Sequence, residues 1–218
     1  MEFYTIQPIK HILYKEFKNW GYLAQFLSQR IYSPHVKTEP EPDIFNLKAY
    51  AKLKITDFMP FATEMDQGLL FNDKVKVILK NCNIPSEYAL FDISIEHKKE
   101  TYSNYNWLAT IGLPENPSPL DFKKTKFCIN FNYDTNRFDA LATFNNYQEA
   151  INANAHLRNQ AELWLTKAAW QYDIIILPRI GIGEHNIIIS EKLANAFFEN
   201  KVTGIEIIKA DWIYAFED

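Results

Sequence analysis

Two stretches 118 positions apart carry the same order of residue types, and this repeat limits the fold more than any other feature of the chain. Leu69-Leu70-Phe71 aligns with Ile187-Ile188-Ile189, Asn72 with Ser190, Asp73 with Glu191 and Lys74 with Lys192. Each stretch is a short apolar strand ending on a residue that caps helices, followed by an acid where the positive end of a helix dipole falls. Val75, Ile78 and Leu79 then align with Leu193, Ala196 and Phe197 as one apolar helix face, Ile84 aligns with Val202, and Pro60 upstream aligns with Pro178. Within positions 69 to 84 only Lys74 and Lys192 are identical, so the repeat is one of pattern. The spacing predicts helices over 72–82 and 190–200, each after a short strand. Gly204 ends the second helical turn, and Ile205 to Ile208 is a further strand.

Between and around these units the patterns are shorter. Glu2 to Leu13 mixes strand-like alternation with Pro8, and Leu23, Phe26, Leu27 and Ile31 recur at helical spacing before a loop rich in proline from Ser33 to Asp43. Strands are expected over Lys48–Thr56, Glu87–Glu96 and Asn104–Ile111. Lys126–Tyr133 and Phe138–Phe144 read as a hairpin across Asp134-Thr135-Asn136. Good helix formers from Asn145 or Asn146 to about Gln171 predict the longest helix of the chain. Asp173–Leu177 and Ile187–Ile189 are short buried strands. The expected class is α+β, with mixed or antiparallel sheets, a few packed helices and two similar strand-helix-strand units. The expected organisation is an N-terminal segment 1–42, a first unit with a hairpin over 43–146, and the long helix with the second unit over 147–218, the last two forming either separate domains or one.

Charge and cysteine content narrow the function. The net charge is -4, and residues 1–170 hold 19 basic and 19 acidic side chains, whereas residues 171–218 hold 4 and 8. The acidic excess therefore lies in the last 48 residues, and a pI near 5.8 argues against a nucleic-acid binder, despite the cluster Lys123, Lys124, Lys126. No apolar run approaches the roughly 18 residues of a membrane span, so no membrane partner is expected. The first ten residues lack the apolar core of a secretory signal, and two cysteines, Cys82 and Cys128, build no disulfide framework. A cytoplasmic protein is expected.

The segments "ITDFMPFATEMDQGLLFNDKVKVILK" with "YALFDISI", and "DIIILPRIGIGEHNIIISEKLANAFFENKVTGIEIIKA", resemble the bacterial DUF1629 family, also described as an immunity protein family (Imm11) of polymorphic toxin systems. The second segment follows that family's pattern of a strand, Ser-Glu-Lys-Leu, an amphipathic helix and Thr-Gly-hydrophobic-Glu. In the first, Asn72-Asp73 stands where the family often shows Ser-Glu. The resemblance spans about residues 45–110 and 172–210. It implies a fold and, through the gene neighbourhood of relatives, a toxin-neutralising role, while naming no contacting residue.

Motifs for chemistry fail on context. Gly181-Ile182-Gly183-Glu184-His185 lacks a third glycine and precedes a strand rather than a helix, so no dinucleotide site is expected, and Glu184 with His185 would point to opposite faces of a strand. Asn132, Asp134 and Asn136 alternate like the start of a calcium loop, but Arg137 and Thr143 occupy the positions of its glycine and glutamate. The histidines at 11, 35, 97, 156 and 185 form no zinc spacing and read as surface or rim residues, and Cys82 falls on the buried face of its helix. No cofactor or metal is expected. The leading reading is a protein-binding immunity protein, not an enzyme, facing a basic toxin through acidic residues of the C-terminal unit: Glu184, Glu199, Asp211, Glu217 and Asp218. Tyr105 and Trp107, with Tyr102, form either an exposed aromatic patch for a partner or a strand whose aromatics roof the core. The alternatives are an enzyme of unrecognised, hydrolase-like type, or a structural or assembly subunit.

Overall fold

A computed structural model describes residues 2–8, 46–59, 68–85, 88–110, 118–132, 135, 137–157, 162–177 and 187–215. Along the chain these form β1 (Phe3–Pro8), β2 (Asn46–Lys48), β3 (Phe58–Met59), β4 (Gly68–Asn72), α1 (Asp73–Leu79), β5 (Tyr88–His97), β6 (Glu100–Thr110), β7 (Phe127–Asn132) and β8 (Arg137–Ala142). They continue as α2 (Tyr147–Asn152), β9 (Leu163–Leu165), β10 (Ile174–Ile176), β11 (Ile187–Ser190), α3 (Glu191–Glu199), β12 (Ile205–Lys209) and β13 (Ile213–Ala215). The protein is α+β, built on mixed and antiparallel sheets and containing both strand-helix-strand units. Among the described residues no helix is long and apolar enough to cross a membrane.

Both helices of the repeat start where a strand hands its last residue over as a cap. Asn72 Oδ1 accepts the Val75 N–H at 3.4 Å, and Ser190 Oγ accepts the Leu193 N–H at 3.2 Å. In each unit a hairpin precedes the helix: β3 pairs antiparallel with β4, and β10 with β11. The first unit belongs to a five-stranded sheet of order β2-β5-β6-β4-β3, and the second to a four-stranded sheet of order β10-β11-β1-β12. The segment 1–42 thus contributes its first strand to the middle of the C-terminal sheet, where Thr5 faces Ile188 on one side and Ile208 on the other.

One core joins the two units. Phe58, Phe71, Val75 and Leu79 of the first pack with Ile174, Ile189, Leu193 and Phe197 of the second. The Phe58 ring meets Phe71 at 5.7 Å and Phe197 at 5.5 Å, both edge-on. The other face of the four-stranded sheet, with Phe3, Ile175 and Ile188, packs against Phe127 of β7, Leu163 and Leu165 of β9 and Ala150 of α2. A third cluster, with Leu47, Ile93, Ile95 and Trp107, covers the far side of the five-stranded sheet.

Several expectations are corrected. The strand foreseen over Lys48–Thr56 stops at Lys48, and a turn follows at residues 51–52. The long helix to Gln171 is a single short helix over Tyr147–Asn152. Asn154 takes the left-handed conformation (φ 49°), its N–H bonds Ile151 O and the Ala155 N–H bonds Ala150 O, closing the helix in a Schellman turn. Beyond it, Leu163 and Leu165 are buried around a half-exposed Trp164, the alternation of a strand. His97 and His156 are buried rather than at the rim: His97 Nε2 lies 3.2 Å from Ala51 O, and His156 packs on the Phe138 ring at 4.9 Å. Cys82 lies past the end of α1, half-buried in a turn. The readings made on 9–45, on Pro60 and Pro178, on Asp134 and Asn136, and on the Gly181–His185 turn lie outside the described residues.

Lys201, not Gly204, closes α3. It stands at φ 48°, its N–H bonds Phe198 O, and the Val202 N–H bonds Phe197 O. A β-carbon is costly in this conformation and a glycine is not. Lys201→Gly is expected to gain about 0.5–1 kcal/mol, a thermal midpoint higher by about 2 °C in a calorimetric scan. A fall in the midpoint would mean that the lysine side chain contributes more than its backbone costs.

Candidate functional site

Of the residues singled out for partner binding, the four that the structure describes do not form one surface. Tyr105 and Trp107 are 2% and 1% exposed, so of the two alternatives it is the strand whose aromatics roof the core that the structure shows, and not the exposed patch. Tyr105 donates its hydroxyl to Thr56 O, burial pushes its phenol far above the ordinary range, and Trp107 stacks on Phe91 at 5.4 Å. Both point to the face of β6 opposite α1. Between them Asn106, also buried, accepts from Lys76 Nζ at 2.6 Å and donates to Asp73 at 2.9 Å, fixing α1 to the sheet. Glu199 and Asp211 are exposed but stand beyond opposite ends of the five-residue β12, about 17 Å of strand apart. Asp211 lies 3.8 Å from Lys209, which also binds Glu2 at 2.6 Å. Glu184, Glu217 and Asp218 lie outside the described residues.

Two aspartates that the sequence did not single out organise the paired helices. Asp57 immediately precedes β3, and the hairpin brings it beside the cap at the end of β4. Its Oδ1 accepts from Asn72 Nδ2 at 2.9 Å, its backbone oxygen takes the Asn72 N–H, and its Oδ2 accepts from Lys74 Nζ at 2.9 Å. Asp173 stands in the same place before β10. Its Oδ1 accepts from Ser190 Oγ at 2.7 Å, its backbone oxygen takes the Ser190 N–H, and its Oδ2 accepts from Lys192 Nζ at 3.2 Å.

Each carboxylate also reaches the end of the other helix. Asp57 Oδ2 accepts the N–H and Oγ1 of Thr203, just past α3, both at 2.9 Å, and Asp173 Oδ2 accepts the Asn83 N–H, just past α1, at 2.7 Å. Lys74 Nζ donates to Lys201 O at 3.1 Å, and Lys192 Nζ donates to Asn81 O at 2.8 Å. The helices therefore lie antiparallel, tied at both ends. Burial raises both carboxyls, but these hydrogen bonds outweigh it and hold Asp57 and Asp173 below the usual carboxylate range. Between the helices lies a groove of about 270 Å³, with Val77, Ile78 and Cys82 on one wall and Lys192, Ala196 and Asn200 on the other. The Cys82 thiol is pushed up to about 11 by burial and by Asp173, so at neutral pH it is protonated and a poor nucleophile.

A second surface lies across three neighbouring segments, residues 124–126, 162–165 and 213–215. β9 and β13 pair parallel, with Trp164 opposite Tyr214, and their buried neighbours Leu163, Leu165 and Ile213 anchor them in the core. The two outward rings stack at 5.0 Å with 22° between planes, and Tyr214 is 40% exposed. The ammonium of Lys124 sits 5.1 Å from the centre of the Trp164 ring. Thr125 fixes the tryptophan's backbone, its Oγ1 accepting the Trp164 N–H at 3.0 Å, and Lys126 pairs with Glu162 at 2.6 Å beside it. The sequence signal for this surface was the alternation Leu163-Trp164-Leu165, absorbed into an expected helix.

Among the described residues no group of three or more His, Cys, Asp or Glu gathers closely enough to hold a metal ion. The chain matches no family model and no curated protein.

Proposed function

We propose that the chain is a protein-binding module that neutralises a bacterial toxin by direct contact, as the resemblance of its two repeat segments to the Imm11 immunity proteins implies. The observation that supports this reading best is the outward Trp164–Tyr214 stack with Lys124 over it. Tryptophan and tyrosine are the side chains that most often dominate binding energy at interfaces, because they bring large apolar area with little rotamer entropy to lose. Here the two rings hold each other in place before any partner arrives, which lowers the ordering cost of association. The acidic excess of the last 48 residues acts over distance, since Glu199 and Asp211, the two of its named residues that the structure describes, stand apart. It would speed encounter with a basic toxin, giving an association rate that falls as salt rises.

The test is to identify the product of the adjacent gene, to co-express it with this protein if it is a toxin, and to measure binding of the purified pair; an adjacent gene of another kind counts against the toxin reading. Cells carrying both should grow where the toxin alone arrests them. Trp164→Ala combined with Tyr214→Ala should weaken binding by about 30-fold or more without moving the thermal midpoint by more than a few degrees. Full affinity in the double variant would remove this face from the account. Absence of both binding and protection would end the toxin reading.

A further inference from the structure

We propose that Asp57 and Asp173 form a reciprocal clasp that makes α1 and α3 open and close as one unit, setting the width of the groove between them. Each carboxylate has a near half, which fixes the start of its own helix through the capping residue, and a far half, which holds a residue four positions past the end of the other helix. A residue serving only its own cap would need no bond to the far unit. Here the far bonds are made twice, by the same oxygen in each case, Oδ2, to a backbone N–H in each case. The lysine at the second helical position repeats the exchange, binding its own aspartate and a carbonyl at the other helix's end.

The geometry makes the two ties mutually dependent. Releasing the Asp173 end frees the exit of α1 at Asn83 together with the cap of α3 at Ser190. The other end of α3 is then held only by Asp57 and Lys74, against a helix whose own far end is loose. The groove lies between the ties, with Cys82 and Lys192 at one end and Asn200 at the other, one residue before the carbonyl that Lys74 holds. Phe58, edge-on to both Phe71 and Phe197 of the two units, couples them beside the Asp57 tie, so loosening at one end is passed to the other. Groove and clasp thus share one equilibrium between a closed form and an opened one. This inference is independent of the toxin reading.

Native-state hydrogen exchange on the full chain tests it, using Asp173→Asn and Asp57→Asn. In Asp173→Asn the amides at the opposite tie, Val75 and Thr203, should exchange about tenfold faster, although neither touches Asp173. In Asp57→Asn the mirror amides, Leu193 and Asn83, should do the same. The double variant should lose less stability than the two single losses together, because the second tie is already weakened when the first is gone. Lys192→Met, which keeps both carboxylates and removes one strap, should show the same remote acceleration at about threefold, and it preserves the test if an aspartate variant fails to fold. Remote amides unchanged in the single variants, or strictly additive losses, would reduce the clasp to two separate caps and overturn the proposal.

Discussion

Gly204→Ala should cost about 4 kcal/mol or more, lowering the thermal midpoint by roughly 10 °C. Gly204 sits at φ +93°, where a β-carbon is strained whatever surrounds it. A β-carbon there would also lie 2.0 Å from Phe58 O and 2.6 Å from Thr56 Oγ1. Neither neighbour can retreat cheaply. Phe58 is 2% exposed with its ring between Phe71 and Phe197, its N–H is bonded to Thr203 O, and its oxygen accepts from Thr56 Oγ1. The variant must open the contact between the strand leaving α3 and the strand entering the first unit, which is the seam joining both halves. Urea unfolding is the measurement. A loss under about 1 kcal/mol would mean that this seam yields far more readily than its packing indicates.

Asp173→Ala should cost about 3 kcal/mol. The carboxylate side chain is 10% exposed, and removing it leaves the buried Ser190 Oγ and the part-buried Asn83 N–H without their acceptor. Lys192 contributes less, because its own side chain is 63% exposed and solvent screens that pair. The pH dependence follows from the direction of the shift. The folded carboxyl is held below its unfolded value, so its stabilisation is complete above the unfolded value of about 3.9 and is lost as pH falls through the folded one. Asp57 behaves alike. Native protein should therefore lose stability steeply below about pH 4, and Asp173→Ala should flatten that acid limb while leaving the neutral-to-alkaline profile parallel to the parent's. Equal acid limbs in the two proteins would assign the loss to other carboxylates.

The two hubs show where the sequence became unreadable. The caps Asn72 and Ser190 were legible because a cap acts on residues two or three positions ahead, and so were the strands they end. Asp57 and Asp173 were not, because they act across a hairpin whose length differs between the copies. They lie 116 positions apart, the caps 118, and Asn83 and Thr203 120, so no single offset aligns all three. The helix expected from Asn145 to Gln171 shows the opposite failure. Its Ala, Leu, Gln and Glu content is real, but propensity is a weak prior, and one left-handed asparagine followed by a strand-like Leu-Trp-Leu overrides it. Tyr105 and Trp107 were ambiguous because Asn104 and Asn106 alternate with them as on a half-solvated strand. Asn106 is in fact covered by α1, so β6 is buried on both faces there, a condition that alternation along one strand does not reveal.

The position of β1 has a consequence for synthesis of the chain. This strand is synthesised well before both of its neighbours, β11 and β12. At typical elongation rates it waits on the order of 10–40 s for about 180 residues to follow, with both edges unpaired. The four-stranded sheet therefore closes only once β12 has been made, and a chain released before Ile205 has no partner for one side of β1. A holding chaperone on nascent β1 should raise the yield of this protein, and a stop codon ahead of β12 should leave an aggregating fragment rather than a smaller folded one.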